Sequence, residues 1–102
     1  MALAAATPTF AATPASVSRE PLYVAYPSDA FAARQQGRVG VELSISASGT
    51  VEDCRVVQPV ADSLDKASCA FWRRTLFNAA YDDRGIAIAS TLHKFSDWRL
   101  PR

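Results

Sequence analysis

One stretch constrains the fold more than any other. In "RVGVELSIS", residues 38–46, Val39, Val41, Leu43 and Ile45 alternate with Arg38, Gly40, Glu42, Ser44 and Ser46. A period of two places the four apolar side chains on one side of an extended backbone and the polar ones on the other. The pattern predicts a strand buried on one face only, which is typical of antiparallel sheets. "SASGT" follows and reads as a hairpin turn, with Gly49 free to take a positive φ. The chain then returns as "VEDCRVVQ", residues 51–58, and Pro59 ends the second strand because it has no N–H for a ladder. Cys54 and Val56 share a parity that Val51 breaks. A bulge near Glu52–Asp53 would turn all three inward.

A two-stranded hairpin with one apolar face needs a cover, and two helical patterns supply it. "YPSDAFAARQQG" predicts a helix over roughly 28–36. Pro27 stands at its start, Asp29 lies near its positive end and Gly37 sits where a stop is expected. "SLDKASCAFWRRTLF" predicts a longer one over 64–76, capped by Ser63, with Lys66 where a capping box would need Glu or Gln. Leu64, Ala67, Ser68, Phe71 and Thr75 make one line along it, and Cys69, Trp72 and Leu76 make the line beside it. "NAAYDDRG" reads as a loop. Residues 86–99 read as a last strand in which Phe95 breaks the alternation, so a bulge or a polar face is expected there. An extra short strand at "PLYVAY", residues 21–26, is allowed.

The expected fold is therefore α+β, a two-layer domain of three antiparallel strands packed against two helices. Its bounds are 23–102. Residues 1–22, rich in Ala, Thr, Pro and Ser, read as a disordered leader or linker remnant. They lack the positive n-region and unbroken apolar core of a complete secretory signal. No apolar run approaches the roughly 20 residues that span a bilayer. A net charge of +1 gives no electrostatic case for nucleic acid or an anionic membrane.

Cys54 and Cys69 are the two cysteines. The first lies on the core face of a strand and the second on the buried side of the helix that must pack over it. A structural disulfide between them is the expected state, with two buried thiols as the alternative. They are 15 positions apart, and closing a loop of that length would contribute about 3 kcal/mol in the chain-entropy model. A metal site would need more ligands than these and His93, the single histidine, and no C-x-x-C redox motif is present. A disulfide points to an oxidising compartment such as a bacterial periplasm. Nothing argues for an enzyme. Glu52-Asp53 and Asp82-Asp83 are neighbours in turns, Arg73-Arg74 ends a helix, and no nucleophile or phosphate-loop motif appears. No cofactor is expected.

Taken together, "YP" at 26–27, "GRVGVELSISASGTV" at 37–51, "SLDKASCAFWRRTLFNAA" at 63–80 and "DWRLP" at the end resemble the C-terminal domain of TonB-type energy transducers. Two positions depart from that pattern. Ala79 stands where the family usually has Pro, and Thr75 stands where an aromatic is common. The chain also shows no membrane anchor or long Pro-rich spacer before the domain. It is accordingly expected to be either a receptor-binding end or a free-standing periplasmic relative that holds another envelope protein.

The resemblance implies a periplasmic module that binds the TonB box, an extended segment of outer-membrane transporters, by adding it beside the domain's last strand. Inner-membrane motor proteins would be reached only through segments not present in this sequence. Carried over by position, the binding residues are Ile88, Ala89, Ser90, Thr91, Leu92, His93 and Lys94 on that strand, with Tyr26 and Pro27 nearby. An open edge of this kind also allows a homodimer by strand exchange.

Overall fold

The computed structural model describes residues 12–101. Its elements run β1 (Ser16–Arg19), α1 (Ser28–Ala32), β2 (Gly37–Ile45), β3 (Val51–Gln58), α2 (Asp62–Arg73), β4 (Leu76–Asn78), β5 (Ala80–Tyr81), β6 (Ala87–Ile88) and β7 (Ser90–Trp98). The main sheet has the order β3-β2-β7, antiparallel throughout, and α2 packs across β3 and β2. The two-layer α+β arrangement is thus the one read from the sequence.

β2 is the centre of the molecule. Val39, Val41, Leu43 and Ile45 are all at most 1% exposed. Burying each contributes about 1.5–3 kcal/mol, and a slip of one residue would turn all four to solvent, so this strand fixes the register of its neighbours. The expected bulge in β3 is present. Ser44 faces Asp53 and Ile45 faces Val51, which leaves Glu52 as the extra residue and brings Val51 and Cys54 to the same side. A second register shift near Val57 bends the other end of β3. Gly49, in the turn, has φ +88°, and a Cβ there would lie 2.1 Å from the Phe77 carbonyl oxygen. Both the conformation and the space at this position require glycine.

The helices differ from the sequence reading at their ends. α1 stops at Ala32, and Gly37 opens β2 instead of stopping a helix. Arg34 takes the left-handed conformation (φ +54°), its N–H bonds the Phe31 carbonyl, and the Gln35 N–H bonds the Ala30 carbonyl. That pair of bonds is a Schellman stop, with Arg in the place where Gly is usual.

α2 begins at Asp62, before the Ser63 cap expected for it. The Asp65 carboxylate accepts the Val60 N–H at 2.9 Å and the Asp65 N–H bonds the Ala61 carbonyl, so the first turn is fixed from within. At the other end Thr75, fully buried, bonds the Phe71 carbonyl through its hydroxyl, and the chain leaves the helix. Leu76 is therefore not on the buried helical line. It starts β4 and is half exposed.

Two short ladders and one isolated bridge were not read from the sequence, and they fall on the leader, the end of the second helix, the loop and the start of the last strand. β4 pairs with β1, a strand inside the stretch read as a leader or linker remnant. Ala15, in that same stretch, is buried in the core. Thr13 bridges Tyr81, and β5 pairs with β6. Residues 1–11 of the Ala/Pro-rich stretch, and residue 102, lie outside the described residues. "PLYVAY" forms no strand.

Candidate functional site

β7 is an edge strand. It pairs with β2 over nine consecutive positions, from Gly37–Trp98 to Ile45–Ser90, without a register shift, and among the described residues no strand pairs with its other side. Alternate residues of such an edge point their N–H and C=O groups away from the sheet. The alternation along β7 is regular. Leu92, Lys94, Ser96 and Trp98 turn toward the helices, and Thr91, His93, Phe95 and Asp97 face outward.

Phe95 thus belongs to the outer face, and no bulge is needed to place it. Its ring lies over Gly40, where a Cβ would come within 3.1 Å of the ring, and the Arg38 guanidinium sits 5.3 Å from its centroid. Glycine on β2 makes room for the aromatic on β7.

Charged pairs lace the rest of that outer face. Arg38 donates to Asp97 at 2.8 Å, and Arg55 donates to Glu42 at 2.8 Å. His93 Nε2 lies 3.2 Å from the same Glu42 carboxylate. The hydrogen bond from Arg55 holds the Glu42 carboxyl below its usual range, and that from Arg38 does the same for Asp97. Their partners are exposed and Glu42 itself is only part-buried, so solvent screens the pairs and they contribute little to stability.

The helix side of β7 is held by two indoles. Trp98, at the strand's end, is buried and donates its Nε1–H to Ser68 Oγ at 2.8 Å. That hydroxyl in turn donates to the Leu64 carbonyl, so a fully buried serine of α2 is satisfied in both roles. Trp72 donates to Ser96 Oγ at 3.0 Å, and Lys94 Nζ lies 5.8 Å from the centre of the Trp72 ring. A groove of about 280 Å³ lies along this end of β7, lined by Phe95, Ser96, Asp97 and Trp98 of the strand, by Phe71 and Trp72 of α2, and by Glu20 and Val24.

The residues carried over by resemblance are distributed along this edge as follows. Ser90, Thr91, Leu92, His93 and Lys94 form the first half of β7. The Ser90 hydroxyl oxygen is buried with no hydrogen-bond partner among the described residues. Ile88 is in β6, paired with Ala80, and Ala89 lies between the two strands, so neither is on the β7 edge. Tyr26 sits at the opposite end of the strand. Its ring meets Trp98 edge-on at 5.3 Å and Phe31 at 5.9 Å, and its hydroxyl donates to the Gln35 carbonyl. Pro27 caps α1, and its carbonyl accepts the Phe31 N–H.

The second half of β7, Phe95–Trp98, was not among those residues, although it carries the groove. Its signal in the sequence was the parity break at Phe95 read together with Gly40. The cysteines form a disulfide, Cys54–Cys69, with Cα atoms 5.7 Å apart, which ties β3 to α2.

The family described as Gram-negative bacterial TonB protein C-terminal matches residues 23–97. No match was found among curated proteins.

Proposed function

The chain belongs to the TonB C-terminal family, and we propose that it is a periplasmic protein-binding module, not an enzyme, that receives the TonB box of an outer-membrane transporter as an added strand. Membership brings with it a TonB-like periplasmic domain and an interaction with outer-membrane receptors in general. The observation that carries the finer reading is the edge of β7, unbroken and, among the described residues, unpaired. An extended peptide satisfies such an edge through its own backbone, each net hydrogen bond contributing about 0.5–1.5 kcal/mol. Alternate side chains of the peptide then face the groove over Trp72 and Trp98, where sequence preference can arise. The disulfide suits an oxidising compartment.

The test is an amide NMR titration with synthetic N-terminal segments of outer-membrane transporters from the same organism. Saturable shifts concentrated on Ser90–Trp98 and around Tyr26 are expected. A well-folded spectrum that no peptide in the panel perturbs would rule the transporter reading out. The module would then be assigned to another envelope protein.

A further inference from the structure

We infer that the chain carries its own occupant for the β7 edge: residues 21–26 dock intramolecularly as a fourth strand beside Phe95–Trp98. In the structure they stand next to that edge without pairing to it. Glu20 and Val24 share a groove with Phe95–Trp98, yet among the described residues the backbone of 20–25 makes no hydrogen bond, and the outward groups of β7 are likewise unpaired. Groups of both kinds gain by meeting. The side chains agree. Leu22, Tyr23 and Val24 are 100%, 75% and 45% exposed, an apolar run that docking would cover. Leu, Tyr, Val and Tyr suit a strand, and Pro21 occupies the first position, where a missing N–H is tolerated.

Both ends of the segment are already fixed. Arg19 pairs with Leu76 on one side, and Tyr26 rests on Trp98 at the end of β7 on the other. Val24 and Glu20 line the same groove as Phe95, Ser96, Asp97 and Trp98. A tether of this length keeps the segment at an effective concentration in the millimolar range, so even a weak pairing is populated. This holds whatever peptide the edge serves. Where a foreign strand is the partner, it must first displace residues 21–26.

Hydrogen exchange on the whole chain, with no peptide added, tests this directly. Alternate amides of β7 point away from β2, and the outward amides of β3, the other edge, are an internal control. Outward β7 amides within 95–98 are expected to be protected tenfold or more relative to those of β3. Val24→Pro, or replacement of residues 21–25 by Gly-Ser-Gly-Ser-Gly, is expected to abolish that difference and leave the β2-facing amides unchanged. Outward β7 amides that exchange as fast as those of β3 overturn the inference. So does protection that survives both variants, or that grows with protein concentration, since a second copy would then cover the edge.

Discussion

β3 and β7 flank the same central strand, yet β3 meets it with two register shifts and β7 with none. β3 is bent at Glu52 and Val57, is stopped by Pro59 and is tied from its inner face to α2 by the disulfide. β7 runs straight for nine residues and is held on the helix side by hydrogen bonds from two indoles. Bulges and proline are devices that blunt an edge against pairing with other chains. One edge of this sheet carries them and the other does not. A sheet can therefore be protected and receptive at once, provided the two properties sit on opposite sides of a buried strand.

The comparison breaks most visibly on the β3 side. Replacing both cysteines with Ser is expected to lower the unfolding free energy by about 3 kcal/mol, the amount associated with opening a 15-residue loop. Urea denaturation measures this. Amide shifts should move along β3 and α2 and stay in place along β7. Equal perturbation of the two edges would show that they are not independent.

A smaller effect is expected from the β7 side. Ser68→Ala leaves the buried Trp98 N–H without its acceptor, at a cost of about 1–3 kcal/mol. The loosened region should be the end of β7 and the Tyr26 ring packed on it, read as faster hydrogen exchange at 96–98. Unchanged exchange there would place the anchoring of β7 elsewhere.

The smallest effect concerns the outer face, where Glu42 of β2 pairs with Arg55 of β3 and with His93 of β7. Glu42 and Asp97 have carboxyl groups held below their usual range in the folded chain. Such groups contribute stability that is present above the ordinary carboxylate range and lost as pH falls through their lowered values. Urea midpoints measured from pH 6 downward should fall. The fall should be shallower in Glu42→Gln, which touches both edges, and in Asp97→Asn, which touches only β7. If both variants keep the wild-type slope, these pairs carry none of the acid sensitivity.

The parts of the fold legible in the sequence were those that repeat a pattern locally. Four alternating apolar residues defined β2, a parity break at Val51 marked the bulge, and two cysteines on facing elements marked the bridge. What stayed hidden depends on partners far along the chain. β4 is three residues long and reads as the end of a helix until its partner β1 is known, and β1 lies about sixty positions earlier among Ala, Thr and Pro. The Schellman stop at Arg34 was hidden for another reason, because the residue is not the glycine that usually marks that conformation. At the site, the first half of β7 came from resemblance. The second half needed the pairing of Phe95 with Gly40, which no single strand displays.

The position of the disulfide also has a mechanical consequence. The covalent link joins β3 to α2 and bypasses β7. A load that enters the domain through a strand laid on β7 must cross to β2 through nine register pairs. If the pull runs along the strands, those pairs share it in shear. If it is directed across them, the ladder opens one pair at a time from an end. At the Trp98 end the indole seated on Ser68 and the Tyr26 ring against it resist first, whereas at the other end, among the described residues, the Ser90 hydroxyl has no hydrogen-bond partner. The domain is therefore expected to yield at lower force when peeled from Ser90 than when peeled from Trp98.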